Sequence, residues 1–334
     1  MMGARPAAPL LLQPMTPELI QRKAVRYVIV LFIIVSLNFF IPRWMPGDPL
    51  MNLIGEEAFY GSGEALEALR VKLGLDGPRY VQFARYLRNL FTGDWGYSYL
   101  YMRPVLQALV PHLRWTLLLV LPATLLGALI ATFWGVLVAW HRKSLLDIGV
   151  SSLFLFIYSM PGFWLAMVVL FLFGFRLAWF PLGKVYSGER SGLALVLDVG
   201  WHMVLPLAVL TVSKASYDFL VVRNAVVAVL SEDYILTARA KGLSSHVVLY
   251  RHVLKNALAP LITVTAIQLG AVLSGALLVE VVFSWPGMGS LIYAAIGARD
   301  YPLLQGAFFI IALCMLMANF VADLLYNWLD PRTR

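Results

Sequence analysis

Between Ser231 and Pro260 the chain reads SEDYILTARAKGLSSHVVLYRHVLKNALAP, a polar and charged segment with long, largely uncharged stretches on both sides. A connector that only joined two apolar stretches would not need this length or these charges. The segment instead carries enough polar residues to form a solvated helix. We interpret it as a docking element that the protein presents to a partner.

The first half of this segment has the charge order of a short, free-standing helix. Ser231 can cap its N-terminus, acidic residues at 232 and 233 fall in the first turn, and basic residues at 239 and 241 fall in the last. The helix macrodipole favours this order. Gly242 supplies the left-handed residue that commonly ends a helix, and Ser244 or the serine after it can cap a second one. The small Ala238 and Ala240 leave the first helix able to approach a partner closely.

The composition is that of an integral membrane protein. Apolar residues make up 60% of the chain, charged residues make up 13%, and the mean hydropathy is +0.78. Ordinary soluble domains are about 45–50% apolar and about 25% charged. The net charge of +8 resides mainly in connectors and so reports membrane topology. A nucleic-acid-binding protein would need a basic soluble face, and nucleic acid is therefore not an expected partner.

A membrane-spanning helix needs about 20 consecutive, mainly apolar residues. Six stretches meet or approach this length, so the predicted fold class is an all-α membrane protein with six transmembrane helices. The six stretches are residues 27–41, 115–140, 148–175, 201–222, 257–279 and 301–322. The fourth includes Lys214 and Asp218, which lie four residues apart on one helix face and can neutralise each other as a structural pair.

The placement of Lys and Arg predicts the topology. Basic residues near span ends in short loops stay cytoplasmic, and they occur before the first span, between spans two and three, between spans four and five, and after the sixth. Both termini are therefore predicted to be cytoplasmic. The predicted organisation is a cytoplasmic extension at 1–21, a first transmembrane helix at 22–45, an external segment at 46–112, and a core at 113–334 with a cytoplasmic loop at 224–256. The external segment either meets a solute-binding protein or only braces the helix ends.

The docking segment resembles the cytoplasmic coupling loop of ABC importer permeases. That loop has the general pattern Glu-Ala-Ala, three residues, Gly, nine residues, Ile-x-Leu-Pro. Aligned on Gly242, Ala238 and Leu254 agree with the pattern. The departures are Leu236 for the Glu, Thr237 for the first Ala, His252 for the Ile and Lys255 for the Pro. The strings TARAKGL at 237–243 and RHVLKNA at 251–257 are similar to the dipeptide/oligopeptide branch, which also includes nickel transporters.

Further motifs extend this resemblance from about residue 22 to the end of the chain. They are PGDP at 46–49, LGLD at 73–76, GDWG at 93–96, Glu280 with FSWPGMG at 283–289, RDYP at 299–302 and DPR at 330–332. The PGDP motif and the segment after it are similar to the B-type membrane subunit of such systems rather than to its C-type counterpart.

The resemblance implies a type I ABC importer permease core in a bacterial or archaeal cell (inner) membrane, in a subunit that is not itself catalytic. It implies four partners: a homologous C-type permease, two ATPase subunits that bind ATP and Mg²⁺, and an extracytoplasmic solute-binding protein. The implied cargo is a short peptide, with nickel complexes or oligosaccharides as alternatives. The residues that the resemblance assigns to ATPase coupling are Asp233, Tyr234, Thr237, Ala238, Arg239, Ala240, Lys241, Gly242, Leu243, Arg251 and His252.

Polar groups inside or beside membrane spans are costly and are candidates for a transport pathway. Gln268, Glu280 and Asp323 are the candidates here. Glu280 is predicted at the outer end of the fifth span and Asp323 near the inner end of the sixth, where water reaches both. Small residues at 127, 131 and 135, and at 271 and 275, have the spacing that lets helices approach closely. Prolines at 122, 161, 206 and 260 either kink the spans beside a cavity or are packed without consequence.

The chain contains no phosphate-binding Gly-x-x-x-x-Gly-Lys-Ser/Thr motif, so any ATP that drives it is bound by a partner. No cofactor or metal is expected on this chain. His246 and His252 are six residues apart, which is poor spacing for a shared metal, and the single Cys314 excludes an internal disulfide. An ion-coupled secondary transporter would usually show internal repeats, and none is evident. A membrane enzyme would need a nucleophile or metal cluster, which is also not found.

Overall fold

The computed structural model describes residues 17–44, 63, 67, 71, 76–188, 191–270 and 276–329, with most of the side chains in these ranges. The described part is helical apart from one two-stranded hairpin. The helices are α1 Pro17–Trp44, α2 Arg79–Thr92, α3 Val105–Trp140, α4 Leu145–Tyr158, α5 Gly162–Val169, α6 Gly192–Leu230, α7 Asp233–Ala240, α8 Ser245–Val247, α9 Leu254–Ala257, α10 Ala259–Gly270, α11 Leu277–Val282, α12 Met288–Gly297 and α13 Tyr301–Leu329. The strands are β1 Tyr97–Ser98 and β2 Arg103–Pro104, and π-helical segments Leu170–Arg176 and Val248–Val253 continue α5 and α8.

Four of the described helices are long and apolar enough to cross a membrane. The qualifying segments are Ala24–Ile41 within α1, all of α3, all of α6, and Tyr301–Val321 within α13. A fifth span results if α4 and α5 with its π-helical continuation count as one broken span. The remaining predicted span, 257–279, contains residues 271–275, which lie outside the described residues. The prediction of an all-α membrane protein is confirmed.

Two of these helices are longer than predicted. The second span was predicted to start at Trp115, but α3 begins at Val105, so the predicted boundary between 112 and 113 falls inside one continuous helix. The fourth was predicted to start at Trp201, but α6 begins at Gly192. The added turns include Asp198, which is buried. In the structure, the backbone N–H of Ser187 donates a 2.7 Å hydrogen bond to that carboxylate, which therefore remains in a polar setting.

The most extensive contact between two helices in the described part is that between α3 and α6. A Cβ atom added to Gly127 would lie 3.2 Å from the backbone oxygen of Thr211, and one added to Gly135 would lie 2.8 Å from Cγ1 of Val222. Ala131 between them is fully buried. The small residues on α3 therefore allow close contact between the two backbones, as their four-residue spacing predicted.

The prolines in the spans have different structural consequences. Pro122 and Pro206 lie inside the continuous helices α3 and α6. Pro161 lies where α4 ends and α5 begins, and the two parts of this span meet at an angle of 101°. Of these prolines only Pro161 marks a break, because the other two are accommodated within helices that continue on both sides.

The described part of the external segment is attached to the helix ends. Arg85 forms a 2.6 Å salt bridge with Asp76, and its hydrogen bond lowers the pKa of the Asp76 carboxyl below its ordinary value. Trp95 of the GDWG motif donates to the backbone oxygen of Leu90 and packs edge-on against Phe309 of α13. Asp300 of the RDYP motif caps α13 through the Leu303 N–H, and it also accepts a 2.6 Å hydrogen bond from the hydroxyl of Ser98 in the hairpin. These contacts support a bracing role for this part of the segment; a contact with a binding protein remains an open prediction.

The predicted topology can be tested with two single cysteines in a Cys314→Ala background. Thr92 is the exposed last residue of α2, and Ser244 precedes α8 at an exposed position, so the two variants are Thr92→Cys and Ser244→Cys. We expect a membrane-impermeant maleimide to label the first only from outside the cell and the second only from the cytoplasm, because short basic loops stay cytoplasmic. Labelling of both from the same side would contradict the predicted orientation.

Candidate functional site

Helix α7 lies where the sequence predicts the docking helix, but its N-terminus is formed differently. Ser231 was predicted to cap it. Instead, Ser231 has helical backbone angles and its hydroxyl donates a 2.7 Å hydrogen bond back to the oxygen of Ala228, so it ends α6. The extended residue before α7 is Glu232, whose side chain makes no cap hydrogen bond. The prediction of Ser231 as the cap is therefore wrong.

The C-terminus of α7 has the predicted glycine stop. Gly242 adopts a positive φ of 77°, and its N–H donates to the oxygen of Arg239. The N–H of Leu243 donates to the oxygen of Ala238, which completes the Schellman pattern of hydrogen bonds. This tight turn directs the chain into α8, which starts after Ser244 without a side-chain cap hydrogen bond.

One face of α7 is buried in the chain itself. Ile235 is fully buried and Ala238 is 5% exposed, and both belong to an apolar cluster at the ends of α3 and α6. The other buried members of this cluster are Ala139, Val222, Val226, Val248, Val253, Ala257 and Leu261. Ala238 was predicted to leave room for a partner. That prediction is wrong, because the methyl group of Ala238 faces the cluster instead.

Two polar contacts fix the position of α7 further. The guanidinium of Arg239 lies 5.6 Å from the ring centroid of Trp140 at the end of α3. The side-chain amide of Asn256 in α9 donates a 3.0 Å hydrogen bond to the hydroxyl of Tyr234. Together with the apolar cluster, these contacts join α7 to α3, α6 and α9. A displacement of α7 would therefore also move the adjoining ends of these helices.

The opposite face of α7 and the turn after it are exposed. Among the residues predicted to couple to an ATPase, nine are exposed, His252 is half-buried and Ala238 is buried. The nine are Asp233, Tyr234, Thr237, Arg239, Ala240, Lys241, Gly242, Leu243 and Arg251. The last of these and His252 lie on the π-helical segment Val248–Val253, against which α7 packs.

The site prediction missed Leu236, which is 59% exposed. It lies on the side of α7 that also carries the exposed Asp233, Thr237 and Ala240, which are three or four residues apart along the helix, and this side is here called the α7 outer face. The sequence did carry a signal for it, because Leu236 stands where the coupling-loop pattern has Glu.

The predicted pathway residues lie in different environments. Gln268 of α10 donates a 2.7 Å hydrogen bond from its side-chain amide to the carboxylate of Asp218 in α6. Asp218 was predicted to pair with Lys214, but the described residues show no salt bridge between them. The stem of Lys214 packs against Gly127 of α3, while Gln268 reaches the carboxylate from the neighbouring helix. The side chain of Asp323 lies outside the described residues.

Glu280 is fully buried, and the prediction that water reaches it is therefore wrong for this structure. Its carboxylate accepts hydrogen bonds of 2.7 Å from the hydroxyl of Thr116 in α3 and 2.6 Å from the N–H of Gly289 in α12. The N–H of Met288 donates to the same hydroxyl, and the fully buried Trp285 donates to the oxygen of Trp115. The carboxylate thus fixes the turn of the FSWPGMG motif against α3, and no bulkier residue fits at Gly289, which packs on the backbone of Leu277.

In the part of the chain that the structure describes, no group of three or more His, Cys, Asp or Glu side chains could hold a metal ion. His246 is exposed and its ring stacks on that of Tyr250, with the two centroids 5.9 Å apart. The site therefore consists of a helix with one face packed in the chain and one face exposed.

Comparison with known proteins relates this arrangement to a family. Residues 131–334 match the model of the binding-protein-dependent transport system inner membrane component, and residues 15–120 match the model of the N-terminal part of such membrane components. The chain belongs to this family. The matched regions include α7 and most of the motifs that the sequence analysis singled out.

Curated relatives cover nearly the whole chain. A putative peptide transport system permease protein of Brucella melitensis is 36% identical over 96% of this chain and 99% of its own length. The di/tripeptide transport system permease protein DppB of Pseudomonas aeruginosa is 38% identical over 91% of this chain and 94% of its own. The dipeptide transport system permease protein DppB of Escherichia coli is 36% identical over 90% and 94%. As a family member, the chain is a permease subunit of a membrane transport system.

Proposed function

We propose that this permease is the B-type subunit of an ATP-driven importer of short peptides and that α7 couples it to separate ATPase subunits. The observation that supports coupling is the construction of α7, with one face fixed in the chain's own apolar cluster and Leu236 exposed on the other. An amphipathic helix of this kind fits a groove of a partner protein. Peptide cargo is proposed from the relatives, whose names specify peptides, dipeptides or di/tripeptides.

The proposed coupling follows from the attachments of α7. Because Ile235 and Ala238 share an apolar cluster with Ala139 of α3 and Val226 of α6, a force on α7 moves the adjoining ends of both long helices. Two ATPases that close on ATP would draw this helix and its counterpart in the second permease together. Closure on the ATPase side would then follow, and the cavity would open toward the cytoplasm when nucleotide is absent. The coupling free energy comes from the different interaction of the ATPases with the closed and the open state of the permease. Without its ATPases the permease should transport nothing.

The full assembly that we propose has five chains in a bacterial or archaeal cell membrane. A homologous C-type permease encloses the other half of the pathway, and two ATPases bind ATP and Mg²⁺ on the cytoplasmic face, the side of both termini. A solute-binding protein delivers the peptide to the external face. In this assembly the permease catalyses no chemical step and binds no cofactor.

Reconstitution of all five chains in proteoliposomes tests this function. We expect accumulation of a labelled dipeptide or tripeptide only with hydrolysable ATP, and we expect binding protein with peptide to increase ATP hydrolysis severalfold over binding protein alone. Vesicles that lack the ATPases, and vesicles with an ion gradient but no ATP, are the controls. Uptake driven by the gradient alone would contradict the mechanism. ATP-driven uptake of a nickel complex or an oligosaccharide, but not of peptide, would contradict only the proposed cargo.

A further inference from the structure

The break in the span formed by α4 and α5 brings non-helical backbone to the surface of this chain, although the N–H groups of Ser159 and Met160 donate to the oxygens of Leu155 and Ile157. The two helices meet at 101° across residues 159–161, and both Ser159 and Pro161 are exposed in this chain. Non-helical backbone at membrane depth is tolerated only where protein covers it or where it lines a water-filled cavity. The break therefore faces either a partner or a polar cavity, not lipid.

The break lies beside one particular face of α6. Tyr158, the last residue of α4, stacks on Tyr217 of α6 with ring centroids 6.1 Å apart. The two rings are 51% and 41% exposed. Residues three and four positions apart are neighbours on a helix surface, so Ser213 and Lys214, both half-buried, lie next to Tyr217 on α6. We call the side chains of Tyr158, Ser213, Lys214 and Tyr217 the tyrosine–lysine face.

Lys214 is placed far from both ends of its helix. It lies 16 residues before Leu230 and 22 after Gly192, which corresponds to about 24 Å and about 33 Å along the axis. The hydrocarbon core of a bilayer is about 30 Å thick, and a lysine that faces lipid at such a depth would be strongly unfavourable. In the described part of the chain, no hydrogen bond or salt bridge involves its ammonium group, although its side chain is half-buried. Its charge thus requires a polar environment on the open side.

The neighbouring carboxylate of Asp218 acts on Lys214 electrostatically, but within the described residues no hydrogen bond or salt bridge joins the two groups. Asp218, one turn further along α6, is fully buried and accepts its hydrogen bond from Gln268. Its second oxygen, Oδ2, is buried without a hydrogen-bond partner among the described residues, as is the side-chain oxygen of Gln268. Of the two charges, the negative one is therefore enclosed and the positive one borders the surface. A ligand that approaches the tyrosine–lysine face meets an ammonium group and hydroxyl groups.

We propose that the tyrosine–lysine face binds the C-terminal carboxylate of the peptide in transit. This inference rests on the proposed function, since it assumes peptide cargo. A carboxylate complements an ammonium flanked by hydroxyl donors, and it is the anionic group that all unmodified peptides share, so recognition there is independent of peptide sequence. Asp218, one helical turn away, places a competing negative charge near the same ammonium group, which keeps binding weak enough for release.

The test compares a tripeptide with uncharged side chains and its C-terminal amide in the reconstituted five-chain complex. Uptake of each is normalised to its occupancy on the binding protein, so that the preference of that protein does not enter. We expect the wild-type complex to transport the free acid about tenfold faster than the amide, because a hydrogen bond to a charged group is lost in the amide. Since this comparison needs no variant, it holds even if substitutions prevent assembly.

Three variants then test whether the tyrosine–lysine face causes the difference in uptake between the free acid and the amide. In Lys214→Met the ratio of acid to amide uptake is expected to fall from about ten to about one, and Lys214→Arg is expected to retain most of it. Lys143→Met, which removes a fully solvated lysine, is the matched control and should keep the wild-type ratio. Equal transport of acid and amide by the wild type, or an unchanged ratio in Lys214→Met, would overturn the inference while peptide import stands. Lack of ATP-driven uptake of either peptide would overturn the proposed function itself.

Discussion

Replacement of Leu236 with aspartate is expected to uncouple the transporter while the permease still folds. Leu236 is 59% exposed and contacts a partner only if the α7 outer face docks there. Loss of a central apolar contact at a protein interface costs about 2 kcal/mol or more, which corresponds to a decrease in ATPase affinity of at least about 30-fold. The measurement is ATPase retained on the purified permease pair, together with ATP-driven peptide uptake. We expect both to fall by more than tenfold.

Leu145→Asp is the matched control for this variant. Leu145 is 87% exposed at the start of α4, on the same predicted side of the membrane but away from the α7 outer face. Its substitution should leave ATPase retention near the wild-type value. Normal ATPase retention and transport in Leu236→Asp would show that α7 is not the coupling element. A further variant, Gly242→Val, keeps the outer face but disfavours the positive φ of 77° that ends α7, and we expect it to lower transport with a smaller loss of ATPase binding.

Substitution of Ala238 is not a test of docking. Its side chain lies in the cluster formed with Ile235, Val248 and Val253, so Ala238→Trp would overpack the chain's own interior. Any loss of transport in that variant would therefore report the position of α7 relative to the spans rather than contact with the ATPase.

The second large effect is expected at the buried carboxylate of Glu280. Glu280→Ala leaves the hydroxyl of Thr116 and the N–H of Gly289 without their acceptor, at about 1–3 kcal/mol for each unsatisfied buried group. Gly289→Ala places a methyl group against the backbone of Leu277, which cannot yield as a flexible side chain would. We expect both variants to lower the thermal unfolding temperature in detergent by several degrees and to reduce the amount of intact permease in membranes.

Gly297→Ala separates this packing effect from a change in helix propensity. Gly297 ends the same helix, α12, but nothing lies within 4 Å of the position that its Cβ would occupy. The Gly297→Ala variant should unfold at or slightly above the wild-type temperature, because alanine favours the helix more than glycine does. Unfolding temperatures for Glu280→Ala and Gly289→Ala equal to that of the wild type would show that this turn does not depend on the hydrogen bonds described.

Much of the candidate site could be predicted from local sequence because its signals are local. The acidic start, the basic end and the glycine stop of α7 lie within ten residues, and Gly242 adopts the predicted conformation. Ser231 could not be assigned in the same way. Whether a serine caps the next helix or ends the preceding one depends on its backbone angles, and here α6 extends through Leu230 and imposes helical angles on Ser231.

The membrane class and the close-packing side of α3 were also predictable from the sequence, whereas its partner α6 was not. Apolar stretches of about 20 residues indicate spans by their length alone. Small residues every four positions indicate a side where another helix can approach closely. Each of these signals can be read from the sequence of a single helix. The 101° break needed the tertiary structure, since Pro122, Pro206 and Pro161 carry the same local signal. Only the last lies where α4 and α5 follow different directions, while the other two lie inside the continuous helices α3 and α6.

The sequence by itself determined that this protein is an α-helical membrane protein with a short polar helix between two spans, because hydropathy, charge order and the glycine stop act over short distances along the chain. Only the tertiary structure decided which groups meet: Gln268 with Asp218, Thr116 with Glu280, and Ala238 with its own core. Each of these contacts joins residues from different helices, and the direction in which a side chain points depends on how the helices pack. For this reason the buried Glu280 and the open side of Lys214 could be assigned only once α3, α6 and α10 were placed against one another.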